Sequence, residues 1–161
     1  MKIRRVVIHQ RKAQLEVVVA NGAVYPLPFS QLSPRPTSAN RIREVYPDKE
    51  LAKEALTYVL ESGAEGSVHL DAVLEYNQDP HYMSELLLHQ LPIQARNRIE
   101  PSGLSRREIA RRLGTSLPQL YRLLDPTNTT KSLNQMISLL HVLGCEVSVV
   151  VRRRKAAALL H

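Results

Sequence analysis

The stretch GLSRREIARRLGTSLPQLYRLLD, residues 103–125, holds the densest set of reactive side chains in this 161-residue chain. Arg106, Arg107, Arg111 and Arg112 crowd one short segment. A guanidinium grips phosphate through a charge-assisted fork of hydrogen bonds, so a polyanion is one partner such a segment suits. The other reading of the same residues is a solvated basic face on a packed helix. The charge distribution favours the first. Residues 1–80 hold 10 Lys and Arg against 10 Asp and Glu, whereas residues 81–161 hold 12 against 5 and so carry the whole net charge of +7. A neutral half followed by a basic half assigns the polyanion partner to the second half.

Other chemistry finds little footing. The histidines, His9, His69, His81, His89, His141 and His161, never pair at the i, i+4 spacing of metal ligands. Asp79, His81 and Glu85 read as a helix start. Asp71, Glu75 and Asp79 share an edge without a recognisable nucleophile. The single Cys145 excludes an internal disulfide and any cysteine-based zinc site, and its setting in LLHVLGCEVSVVV reads as a small buried apolar residue. No glycine-rich phosphate loop is present. The expectation is a protein that is not an enzyme and needs no cofactor. No apolar run is long enough to cross a bilayer, and the first residues lead into no signal peptide, so the expected location is cytoplasmic. The sequon at Asn128 would then be without consequence.

The elements that must position the arginines are marked by caps. Ser105 to Glu108, Ser116 to Gln119 and Ser132 to Gln135 each fit the capping-box spacing. They predict helices over about 105–113, 116–125 and 132–143. Gly114 and Gly144 stand where left-handed residues end helices. The connection Gly114-Thr115-Ser116 is short enough to force a sharp angle. Ala110 is the small residue at the crossing, and Ile109, Leu113, Leu120 and Leu123 point inward. Ahead of these, NQDP at 77–80 is a break, HYMSELLLHQL is helical, and Pro92 starts or kinks the next helix. The last element, CEVSVVVR, reads as a strand with Cys145, Val147, Val149 and Val151 on one face.

With that Ala–Gly spacing, those apolar positions and the following helix, residues 81–144 resemble the lambda-repressor-like (XRE-type) helix-turn-helix family. The resemblance implies that the helix after Gly114 enters the major groove of double-stranded DNA with its first turn toward the bases. It brings Ser116, Gln119, Tyr121 and Arg122 to or near the bases. Gln pairs bidentately with adenine and Arg with guanine, which makes Gln119 and Arg122 the base readers. The phosphate set it implies is Arg106, Arg107, Arg111 and Arg112 on the preceding helix, Thr115 at the turn, and Thr127, Asn128, Thr130 and Lys131 in the following loop. The chain departs from the family pattern at Arg106, where many members have Gln, and at Leu117-Pro118, an apolar pair at a position often polar.

The first half reads as strands. KIRRVVIHQ and QLEVVVA are rich in Val and Ile, and Asn21-Gly22 before AVYPLPF is a hairpin signal of the type I′ kind. Pro26 and Pro28 make the returning strand an edge. Asp48 caps an expected helix whose stripe is Leu51, Ala52, Ala55, Leu56, Val59 and Leu60, ended by Gly63. SVHLDAVLEYN alternates as a half-buried strand should. No internal repeat is visible. The expected architecture is α+β: a small β-β-β-α-β domain over 1–77, for dimerisation or partner binding; an all-α helix-turn-helix domain with a terminal strand over 81–152; and a basic, apolar tail over 153–161.

A Val-rich strand after the last helix would leave an open edge, which predicts a homodimer reading half-sites about one helical turn apart. The function expected is a DNA-binding transcriptional regulator. Two alternatives stand beside it: an antitoxin that neutralises a toxin and represses its own operon, gripping the toxin with the N-terminal domain, and an interaction module that does not touch DNA.

Overall fold

A computed structural model describes residues 1–154 of the chain. The fold is α+β, in two compact units, Met1–Tyr82 and Met83–His161, each with its own apolar core. The first unit is not a single β-β-β-α-β layer. It contains two three-stranded antiparallel sheets and one helix.

Strands β1 (Ile3–His9), β2 (Gln14–Val19) and β3 (Val24–Pro28) form the first sheet with β2 in the centre. The Val-rich β2 is paired on both edges and buried at Leu15, Val17, Val18 and Val19, with Leu15, Val17 and Val19 in the apolar core of the unit. Pro26 and Pro28 lie on β3, an edge strand, where a missing N–H costs no ladder bond. The second sheet is β4 (Ile42–Pro47), β5 (Ala55–Leu60) and β6 (Glu65–His69), again with the middle strand central. Helix α1 (Leu70–Tyr76) follows at once, burying Leu70, Val73 and Leu74 at helical spacing.

The two sheets repeat one construction. Ile3 opposite Val19, then a register shift, matches Ile42 opposite Leu60 and its own shift. The Val19 N–H donates to the Ala23 carbonyl, as Leu60 does to Ala64. A glycine at positive φ, Gly22 at 90° and Gly63 at 89°, closes each three-residue turn. The first of these is therefore not a type I′ turn: Asn21 has no positive φ, and its Oδ1 accepts from the Ala23 N–H. After each third strand a helical turn begins. The Phe29 N–H donates to Ala13 O at 2.8 Å, and the Leu70 N–H to Glu54 O at 2.8 Å. Several matched positions are identical, Ile3 with Ile42, Leu15 with Leu56, Val18 with Val59 and Gly22-Ala23 with Gly63-Ala64, but others diverge, Val17 standing where Tyr58 stands, so the repeat is faint in the sequence.

Three expectations are thereby corrected. Residues 55–60 are a strand, not a helix. All six are buried, and an apolar run buried on both faces carries no alternation to distinguish it from a helical stripe. Asp48 caps a tight turn instead, accepting from the Glu50 N–H at 2.9 Å and from the Thr57 hydroxyl at 2.6 Å. Residues 70–76 are a helix, not the continuation of a strand.

Helix α2 (Pro80–Ser102), most of which belongs to the second unit, continues through the buried Pro92, so Pro92 does not start a new helix. It is followed by α3 (Arg106–Leu113), α4 (Leu117–Leu124) and α5 (Leu133–Val142). Their core gathers Ala95, Ile109, Ala110, Leu120, Leu123, Leu124, Met136 and Leu139. The expected terminal strand is absent: residues 145–154 form no strand, and Val149, Val150 and Val151 are 84%, 70% and 89% exposed. Val content alone does not make a strand without a partner to complete its ladder. Most of the expected tail, residues 155–161, lies outside the described residues. No described helix is long and apolar enough to cross a membrane.

Candidate nucleic-acid interface

The α3–turn–α4 unit is built from its ends inward. The Ser105 hydroxyl accepts from the Glu108 N–H at 3.2 Å, and the Ser116 hydroxyl from the Gln119 N–H at 3.3 Å. Each is half of a capping box; the return bond is made only in α5, where Ser132 and Gln135 satisfy each other. Between α3 and α4 the chain reverses at Gly114, φ 73° and ψ 32°. The Thr115 N–H reaches Ala110 O at 3.0 Å, and the Gly114 N–H reaches Arg111 O at 3.1 Å. This paired closure needs a left-handed residue, which a side chain would oppose. Ala110 is buried behind it. Ile109 and Leu120, both fully buried, tie the two helices to the common core.

What remains outside is polar. On α4, Ser116, Gln119, Tyr121 and Arg122 are exposed, while Leu120, Leu123 and Leu124 are buried. Leu117 turns inward and packs against the core, so of the apolar pair only Pro118 is exposed, in the first turn that tolerates it. The side chains of Gln119 and Arg122 have no partner among the described residues. Tyr121, 47% exposed, lies beneath the Arg106 guanidinium, 5.4 Å from ring centroid to Cζ.

The α3 arginines divide into two kinds. Arg111 donates to Glu108 through Nε at 2.9 Å and Nη2 at 2.6 Å, and Arg112 donates to the same carboxylate through Nε at 2.9 Å. These bonds pull the Glu108 carboxyl down to about 2 from its ordinary 4.5. Arg107 has no partner among the described residues. Thr115 is half-buried at the turn.

The loop after α4 is occupied with itself. The Thr127 hydroxyl donates to Asp125 Oδ1 at 2.7 Å, and the Thr130 hydroxyl to Asn128 Oδ1 at 2.7 Å. Asn128 Nδ2 donates to Arg122 O at 3.2 Å, satisfying a carbonyl at the end of α4. Lys131, expected on phosphate, is 4% exposed, and its ammonium donates to the Asp125 carbonyl. Burial pushes its pKa down. It is a buried cap for α4, not a surface cation. Sequence reading missed this, since nothing in TNTTKS marks a lysine turned inward. It also missed the Glu108 cluster, which the i, i+3 and i, i+4 spacing to Arg111 and Arg112 announces.

Asp79 serves α2. Its carboxylate accepts from the Tyr82 N–H at 2.9 Å and the Tyr25 hydroxyl at 2.8 Å, and both bonds lower its pKa. Among the described residues, no group of three or more His, Cys, Asp or Glu side chains is arranged to hold a metal ion. Cys145 is half-buried beside the second core. No family model, curated protein or solved structure matches the chain.

Proposed function

We propose that the chain binds duplex DNA through α4, as a transcriptional regulator of the lambda-repressor-like kind. One observation carries the reading: α4 exposes two uncommitted base-reading side chains, Gln119 and Arg122, within its first two turns, beside a cationic α3. In this reading the start of α4 lies in the major groove, where Arg122 suits guanine and Gln119 adenine. Arg107 and Arg106 contact phosphate on the flank. Ser116 and Thr115 contact phosphate at the helix N-terminus, where backbone N–H groups favour an anion. Tyr121 holds Arg106 and borders the groove. Arg111 and Arg112 are partly neutralised by Glu108 and contribute less.

The regulator acts as a homodimer in this account. Its contact surface includes the exposed Val149, Val150 and Val151, an apolar run that water solvates poorly. The test is equilibrium binding of the full chain to a mixed-sequence duplex across a salt series. A slope of log affinity on log salt near −0.9 per phosphate contacted is expected for a site of three or more cations, about −3 or steeper. A slope near zero rejects the proposal.

A further inference from the structure

In the first unit, a cleft of about 450 Å³ opens beside the β1–β2 connection and faces the loop that leads into β4. Arg11 and Arg41 both line it, together with Thr37 and Ser38, and no acidic residue does. Neither guanidinium has a partner among the described residues. Phe29 and Pro36, both buried, contribute apolar surface to its lining.

The repeat supplies an internal comparison. The crevice beside the matching β4–β5 connection is lined by Arg4, Lys49 and Lys53, but also by Asp48, Glu50 and Glu65, three cations against three anions. In a half whose charges cancel, the Arg11–Arg41 cleft is of a single sign. Its frame is also pinned. The Thr37 N–H donates to Asn40 O at 3.1 Å, and Asn40 exchanges two bonds with Ser62, from Nδ2 to the hydroxyl and from the Ser62 N–H to Oδ1, each 2.9 Å. The Glu61 N–H holds Arg41 O at 2.9 Å, and the Phe29 N–H holds Ala13 O at 2.8 Å. The Ser38 hydroxyl has no partner among the described residues, and the Thr37 hydroxyl, accepting from the Asn40 N–H, keeps its own proton to donate.

We propose that this cleft is a binding site for a small phosphorylated ligand, its phosphate held between Arg11 and Arg41 with Ser38 and Thr37 donating hydroxyl bonds and its organic part against Phe29. Two guanidinium forks match the oxygens of a phosphomonoester, and the hydroxyls supply the remaining donors. A concave pocket of this volume, with an apolar wall and few convergent polar groups, suits a small molecule. The proposal stands on the first unit alone and is independent of the DNA reading.

The test uses the full chain, isotope-labelled, titrated at low salt with inorganic phosphate and, separately, with ribose 5-phosphate. The expected result is saturable backbone shifts at Arg11, Thr37, Ser38 and Arg41. Combining Arg11→Gln with Arg41→Gln should weaken the response by about tenfold or more, the loss of at least one charge-assisted bond. Arg4→Gln in the matching crevice should leave it unchanged. Both Arg11 and Arg41 are exposed, so the fold persists in the variants. Two results overturn the proposal: no localised shift with either probe, or a shift that survives in the double variant. A third also overturns it, namely a double variant that loses DNA affinity while the wild type ignores both probes, because the arginines would then serve a nucleic-acid backbone.

Discussion

The Arg106 guanidinium stands over the Tyr121 ring, 5.4 Å from its centroid, and so joins the exposed face of α3 to that of α4. The pair fixes a cation at the border of the proposed groove contact and uses the tyrosine as its platform. Tyr121→Leu should therefore cost about 0.5–1 kcal/mol of stability, the range for an exposed cation–π pair, measured by denaturant unfolding. Tyr121→Phe keeps the ring face and should match the wild type within error.

Glu108 holds Arg111 and Arg112 together, and its carboxyl titrates at about 2 in the folded chain. A depressed carboxylate stabilises the fold fully above its ordinary value of 4.5, and that contribution is lost as pH falls from 4.5 toward about 2. A carboxyl-carbon chemical-shift titration should place the midpoint near 2. Arg111→Gln, which removes two of the three bonds, should raise it toward the ordinary value.

The same carboxylate faces the surface proposed for DNA, so Glu108→Gln should tighten DNA binding. It removes one negative charge and releases two guanidinium groups, which should steepen the salt slope by about 1. Lys131→Met should instead leave the slope unchanged while lowering stability, because Lys131 is buried on the Asp125 carbonyl. Fluorescence anisotropy across a salt series, paired with thermal unfolding, separates the two effects.

Among the glycines, Gly66 alone has neighbours within 4 Å of where a Cβ would stand. A Cβ there would lie 2.4 Å from Tyr58 Oη and 2.8 Å from the Ser33 carbonyl. Tyr58 cannot swing aside without giving up its 2.8 Å bond to Pro34 O. Gly66→Ala should destabilise the fold by about 1–3 kcal/mol, an overpacking cost, in urea unfolding.

What the sequence discloses is governed by range. The three serine caps and Gly114 are legible because capping is settled within four residues, and those helices lie within a residue or two of where they are expected. The strand at 55–60 is not, because β4 and β6 pair only its edges, and the burial of both its faces comes from tertiary packing that the local pattern does not contain. Thr57, Tyr58 and Val59 were the available hint of a strand. The segment 67–77 misleads differently: Val68, Leu70, Ala72 and Leu74 alternate, yet Leu70, Val73 and Leu74 also fit a helix, and packing against the core selects the helix. In the candidate site, Gln119 and Arg122 lie exposed on α4, and Lys131 turns inward, its ammonium donating to the Asp125 carbonyl at the end of α4.

The central claim is that α4 reads bases through Gln119 and Arg122. Its most direct test is selection of bound duplexes from a random pool by the full chain and its variants. The wild type should enrich one sequence. Arg122→Ala and Gln119→Ala should each relax the preference at one base position, at a cost of about 1–3 kcal/mol for the original site. Arg107→Ala should weaken binding to every sequence alike. If the pool is not enriched, or if Arg122→Ala and Gln119→Ala enrich the same sequence as the wild type, α4 does not read DNA in this way.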